Sequence, residues 1–283
     1  LLGIQTSPLA GTYSDNQIYD GSSLRLKSLE EALNQVGPGS ILIISELHDN
    51  PSHHQHQMEV LQHLKKGFHK GLSLGMEFFD YTKQDKVYDF LSGNIQEGEF
   101  LPSIEWGGIP WSYYRPLVLF PPGAGGTTWA LNAPKGITAK VKRTGVESLT
   151  ADEIALLPPN WSLGNKNYFE RFRETILRGG HSIPQESIAR YFQAQSIWDE
   201  TMAWRAVSYM EKFPQQILVI LVGDFHAAYG GGLPDKIRNR GWTQTLVISQ
   251  VAINEMEESE IEQTLRPHAK FGPRADYIWI GNH

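Results

Sequence analysis

Glu46-Leu47-His48-Asp49-Asn50-Pro51-Ser52-His53-His54-Gln55-His56-Gln57 puts carboxylate, imidazole and amide groups into one short stretch, with four of the chain's ten histidines among them. These side chains donate and accept protons near neutral pH and, with neighbouring carboxylates, orient one another or hold ions. Three more residues of such types follow apolar runs elsewhere: Glu77 after Leu72–Met76, Asn132 after Thr127–Leu131, and His226 just past Ile217–Val222. His226 precedes a glycine-rich turn, Tyr229-Gly230-Gly231-Gly232. One polar residue after a strand is ordinary loop chemistry. Four sets of reactive types at equivalent positions define a candidate site at Glu46, His48, His53, His54, Glu77 and His226.

The elements that position them are legible. Ser40-Ile41-Leu42-Ile43-Ile44-Ser45 has the length and unbroken apolarity of a parallel strand buried on both faces, which puts Glu46 and His48 at its carboxyl end. Asn50-Pro51 is a helix start, an N-cap side chain followed by a proline whose missing N–H costs nothing in the first turn. The helix is expected from Pro51 to about Lys66. Steps of about 100° per residue place Met58, Val60, Leu61 and Leu64 on its buried face, with Gln57 central and His53 and His54 flanking. His56 and His63 are expected to face water. Polar groups on a buried face need partners, so Gln57, His53 and His54 are expected to converge on the strand ends.

A long helix is expected from about Gln185 to Lys212. In it Gln195 and Asp199 share a stripe with Tyr191, Trp198, Met202 and Ala206. An ionisable group on such a stripe needs a partner. Asp199 either orients a histidine or pairs with Arg205. Strands are expected at 41–48, 72–79, 127–132, 217–223, 245–251 and 276–281. The fold class that follows is α/β: one domain over 1–283, a mostly parallel central sheet flanked by helices, with helical insertions at about 80–120 and 136–212 over the carboxyl edge. Thr150-Ala151-Asp152-Glu153 marks a capping box inside the second insertion. Trp106 to Pro116 is dense in aromatics and too irregular for a helix face. It is expected to be a packed loop, or a flat apolar wall with Arg115 beside it that suits a large planar ligand carrying carboxylates.

A net charge of −6 argues against a nucleic-acid surface. The absence of cysteine excludes disulfides, thiolate metal sites and thiol nucleophiles within these residues. The chain opens on Leu1 and shows no signal peptide or membrane span, so a processed or trimmed form is expected, with a signal or lipid-bearing cysteine upstream.

Taken together, Ser45 to Gln57, Gly75 to Phe78, Trp111 to Pro116, Asn132 to Pro134, Gln195 to Ala203 and Gly223 to Gly232 resemble the motifs of the ChaN-like family of haem-binding, iron-uptake lipoproteins. Two positions depart from the family pattern: Ser45 stands where a glycine is expected, and Asp224-Phe225 where small residues are. The resemblance implies haem bound in the pocket of a homodimer at the bacterial cell envelope, lipid-anchored and serving an outer-membrane haem receptor. It implies a tyrosine on the iron, Tyr114 or Tyr229, with His53, His54 and Arg115 toward the propionates. A more distant similarity, to erythromycin esterases and a group of membrane-associated metalloproteases, implies a rival activity. This is hydrolysis of an ester or peptide by Glu46, His48, Glu77 and His226, with His48 as base or with all four on a divalent metal.

Overall fold

The computed structural model describes residues 13–68, 71–178 and 183–282; Leu1, where the processed start is expected, lies outside them. The strands are β1 (Gln17–Asp20), β2 (Leu26–Lys27), β3 (Ile41–Glu46), β4 (Leu72–Asp80), β5 (Thr128–Asn132), β6 (Ile217–Gly223), β7 (Thr245–Ala252) and β8 (Tyr277–Gly281). The helices are α1 (Leu29–Leu33), α2 (Pro51–Gly67), α3 (Gln84–Leu91), α4 (Glu97–Ser103), α5 (Trp111–Val118), α6 (Lys135–Thr144), α7 (Ala151–Ala155), α8 (Lys166–Arg178), α9 (Ile188–Lys212), α10 (Asp224–Ala227), α11 (Leu233–Asn239) and α12 (Glu258–Leu265).

All eight strands form one sheet in the order β2-β1-β8-β7-β3-β6-β4-β5. The six from β8 to β5 are parallel, and β1 and β2 add antiparallel edges. The α/β class is as expected. These two added strands, both beyond β8 at one end of the sheet, are not among the six expected, because runs of four and two residues are too short to show a period.

Strand alternation sorts the core and, with it, the site. Leu42 and Ile44 of β3, Leu72, Leu74 and Met76 of β4, and Val219 and Leu221 of β6 pack on one face with α2 and α5. Ile41, Ile43, Leu218, Ile220 and Val222 pack on the other, against α9 and α11. Each of these side chains is essentially sealed from solvent, worth about 1.5–3 kcal/mol apiece in water released. Glu46 continues the first face toward α2 and α5. Ser45 and Glu77 continue the second, toward α9 and α10.

Two expectations about the helices change. Trp111–Val118 is a helix, not a loop: Trp111, Tyr114, Leu117 and Val118 recur on one buried face. Trp106 and Phe100 close around Trp111 at centroid distances of 5.0 and 5.8 Å, so the aromatic density is mostly core. His56 does not face water. The sheet extends past β7 to β8, so a second side of α2 is covered. There His56 stacks on Trp279 at 4.1 Å and its Nδ1 lies 3.0 Å from Gln250 Oε1. Thr150 caps α7 with the expected capping box.

Candidate functional site

Asn50 holds the start of α2 by accepting from the Ser52 and His53 N–H groups at 2.9 and 3.4 Å. That cap points the helix's first turn at the end of β3. His53 Nδ1 accepts from the Leu47 N–H at 2.9 Å. His54 sets Nε2 3.0 Å from the His48 carbonyl and Nδ1 3.1 Å from Gln57 Oε1. Gln57 and the Tyr114 hydroxyl both donate to the buried Glu46 carboxylate, and His48 Nδ1 lies 3.0 Å from its Oε1. Burial, and then the Glu46 charge, raise the Tyr114 phenol well above its ordinary range. Tyr114 therefore serves Glu46 as a donor, inside the core. Burial pulls the His48 imidazole down, but its hydrogen bond to Glu46 and the charge of Glu77 outweigh that and raise it above an ordinary histidine.

Across the β3–β6 seam a second carboxylate–imidazole set assembles. His226 follows β6 on α10, with Nδ1 2.7 Å from Asp199 Oδ1 on α9 and Nε2 3.4 Å from Glu77 Oε1 in the last half of β4. Asp199's other oxygen accepts from the Tyr168 hydroxyl at 2.7 Å, and Glu77 Oε2 accepts from the Gly223 N–H at 2.6 Å. The Gln195 amide lies 3.0 Å from both Tyr168 Oη and His226 Nδ1. Burial pushes His226 down, yet Glu77 and Asp199 overcome it and lift it to about 10. Burial pushes Glu77 up, yet His226 overcomes it and holds the carboxyl at about 2. A Cβ on Gly223 would sit 2.9 Å from His48 Cε1 and 3.5 Å from Glu77 Oε2, so only glycine leaves room for the His48 ring.

Glu46, His48 and His226 line a cavity of about 820 Å³ at the strand ends, a size suited to a small-molecule ligand. Both helical insertions reach it, the first through Gly108 and Ile109 and the second through α8. Its far wall is Tyr229, whose left-handed backbone (φ 62°) follows α10. The Tyr229 N–H donates to the Arg274 carbonyl at 2.6 Å, and His268 and Phe271, mutually stacked at 4.5 Å, stand edge-on to its ring. The Arg171 and Arg274 guanidiniums each lie 5.6 Å from the Tyr229 ring centre. No hydrogen bond reaches the Tyr229 hydroxyl among the described residues. A second cavity of about 920 Å³ adjoins the first, sharing Leu47, Arg178, Tyr229 and His268.

The structure thus brings Glu46, His48, Glu77 and His226 together, with Gln57, Gln195 and Asp199 supporting them. Asp199 orients His226 rather than pairing with Arg205. Arg115 stands apart, ion-paired to Glu97 at 2.6 Å on the surface, and Asn132 accepts from its neighbour's N–H at 2.8 Å; neither lines the cavity. Among the described residues no group of three or more histidine, aspartate or glutamate side chains is arranged to hold a metal ion. The Glu46 and Glu77 oxygens are already taken by internal donors. Tyr168, Arg171, His268, Phe271 and Arg274 were not anticipated. Only the first two carry a local signal, the buried stripe Tyr168, Arg171 and Phe172 of α8.

The two departures at Ser45 and Asp224 belong together. Ser45 Oγ and Ser249 Oγ donate to Asp224 Oδ1 at 2.6 and 2.7 Å, and the other Asp224 oxygen binds the Arg274 guanidinium. Arg274 Nε also donates to Ser249 Oγ at 2.8 Å. The pair forms a polar cradle that fixes an arginine at the cavity wall.

Residues 32–237 match the family described as haem-binding uptake, Tiki superfamily, ChaN. Among solved structures, the chain is similar to ChaN of Campylobacter jejuni, described as binding haem cofacially. The TM-score is 0.70 at 16% identity, over 95% of this chain and 98% of that one. At 16% identity this likeness is one of fold. A weaker likeness reaches the erythromycin esterase EreC, an H289N mutant in its open conformation, with a TM-score of 0.49 at 9% identity over 94% and 97% of the two chains. No curated protein matches in sequence.

Proposed function

The chain belongs to the haem-binding uptake family ChaN of the Tiki superfamily, and we propose that its strand-end cavity binds haem with Tyr229 on the iron. One observation carries the choice of residue. Of the two tyrosines implied by the resemblance, Tyr114 is fully buried with its hydroxyl bonded to Glu46, while Tyr229 lines the cavity with its hydroxyl unengaged among the described residues. Tyrosine ligates haem iron as an oxygen donor, and the stacked His268 and Phe271 offer a flat apolar face to a porphyrin. The pocket volume and these groups fit haem as a cargo.

The wider reading is haem or iron acquisition outside the cytoplasm, at the cell envelope, by a dimer. Cofacial haem in the Campylobacter jejuni protein means two ring systems stacked, which two copies of one open site supply by symmetry. Tyr229 stands where two adjoining cavities meet, and Leu47 at the same mouth is 44% exposed. Titration of the protein with haem, followed by absorbance and light scattering, tests both parts. The expected result is saturable uptake with doubling of mass, and a shifted Soret band in Tyr229→Phe but not in Tyr114→Phe. An unchanged spectrum in Tyr229→Phe refutes the assignment of the ligand.

The Glu46–His48 and Asp199–His226 pairs favour a second reading, hydrolysis of an ester by His48. With Nδ1 held by Glu46, the His48 Nε2 accepts a proton from water as the water oxygen attacks the carbonyl carbon, and returns it to the leaving alkoxide. His226, protonated up to about pH 10, supplies fixed positive charge beside it. Turnover of an activated ester by the wild type, lost in His48→Ala and Glu77→Gln with the far-UV circular dichroism unchanged, is the expected signature. Equal hydrolysis by all three proteins removes this reading.

A further inference from the structure

Arg171 is a buried cation that no carboxylate among the described residues contacts as an ion pair, although the charges of Asp224 and Asp199 reach it from farther off. It is 8% exposed and lines the cavity, yet forms no ion pair with any described residue. None of the undescribed residues is an aspartate or glutamate. The nearby carboxylates are committed elsewhere: Asp199 to His226 and Tyr168, and Asp224 to Ser45, Ser249 and Arg274. Arg171 itself has one hydrogen bond, Nη2 to the Phe225 carbonyl at 2.6 Å, and three aromatic faces, Phe225 at 4.0 Å, Tyr168 at 5.2 Å and Tyr229 at 5.6 Å. A desolvated guanidinium in such a setting is costly unless an anion completes it. The second cation near Tyr229, Arg274, is by contrast fixed by the Asp224 and Ser249 cradle and adds to the positive field.

We propose that Arg171 is the receptor for a carboxylate carried on the flat apolar ligand of this cavity, with Arg274 as the fixed second cation beside Tyr229. A guanidinium matches a carboxylate with two parallel donors, and the low local dielectric strengthens that pair. The surrounding rings require the anion to be joined to a flat apolar body rather than to be a small hydrated ion. The inference rests on the haem-cavity reading for the identity of that body, and for haem the anion is a propionate.

The test compares iron protoporphyrin with its dimethyl ester, whose carboxylates are masked, on wild type, Arg171→Gln and Arg171→Met. Gln keeps an N–H for the Phe225 carbonyl and Met keeps only bulk. Wild type is expected to favour the free acid by about tenfold. Both variants are expected to lose that preference while holding the ester as wild type does. A wild type that binds acid and ester equally overturns the proposal without any variant. So do variants that weaken both porphyrins alike, which would make Arg171 a packing residue. If wild type takes up neither porphyrin, the haem reading fails and Arg171 is judged separately with 2-naphthoate. Thermal stabilisation of wild type but not of Arg171→Gln then supports the carboxylate receptor, and equal or no stabilisation overturns it.

Discussion

Replacing His226 with glutamine should flatten the alkaline limb of the stability profile. His226 lies between Asp199 and Glu77, and those carboxylates raise it from 6.5 to about 10. The folded protein therefore binds more protons than the unfolded chain between those two values. Stability from this source is complete below about pH 6.5, declines as pH rises, and is gone above about pH 10. At about 1.36 kcal/mol per pH unit of displacement, the span corresponds to at most about 5 kcal/mol. The His226–Glu77 attraction also accounts for the low Glu77 value, so the same energy is not available twice. About 2–3 kcal/mol is the expected loss between pH 7 and 9.5. Urea unfolding of wild type and His226→Gln, followed by circular dichroism at pH 6.5, 8 and 9.5, gives the difference directly and cancels the titration of exposed lysines and tyrosines. Parallel profiles for the two proteins would falsify the imidazolium assignment. A wild type that gains stability as pH rises would reverse its sign.

Glu200 is buried between Lys236 Nζ at 2.9 Å and Arg240 Nη2 at 2.5 Å. Glu200→Ala leaves the buried Lys236 and the half-buried Arg240 without their carboxylate and should cost about 3 kcal/mol in urea unfolding, with Lys236→Met restoring part of it. Ser45→Ala and Asp224→Asn should be non-additive. A double-mutant cycle is expected to give a coupling of about 1 kcal/mol, and simple additivity would show that the Ser45–Asp224 bond contributes nothing. Burial holds His56 below an ordinary histidine despite its bond to Gln250. Its neutral form is thus favoured by folding, and stability from this source is complete above about pH 6.5 and declines as pH falls below it toward the lowered folded-state value. His56→Gln should reduce that acid-side loss between pH 7 and 5; an unchanged acid limb would show that the stacked ring titrates freely.

Much of the architecture follows from local pattern. Ile41–Ile44 and Ile217–Val222 have too many consecutive apolar residues for a half-exposed strand, which makes them parallel and central and puts Glu46 and His226 at one edge. Asn50-Pro51 starts α2 where the backbone chemistry says it must. Gln57, His53 and His54 do lie inward on α2, because helical periodicity is set by hydrogen-bond geometry within the helix itself. The same reasoning misplaces His56, since only the sheet's extension through β8 covers that second side. It misreads Trp106–Pro116 because one of its four aromatics, Trp106, packs from a loop and the other three from a short helix.

Position along an element was therefore decided by the sequence, and partnership by the tertiary structure. Local spacing put Glu46, Glu77 and His226 near one edge and Asp199 on the apolar stripe of α9, but which carboxylate meets which imidazole depends on the β4–β6–β3 order and on where α9 crosses it. Ser45 and Asp224 looked like independent departures from a family pattern; 179 positions apart, they share a hydrogen bond that anchors Arg274. Tyr114 and Tyr229 were equal candidates until burial gave one to Glu46 and the other to the cavity. Nothing in the sequence marks Arg171 as making no ion pair among the described residues. Hydrogen-bond periodicity acts over a few residues and can be read along the chain. Desolvation and Coulomb attraction act through space, so their outcome for each group is settled only when distant segments pack around it.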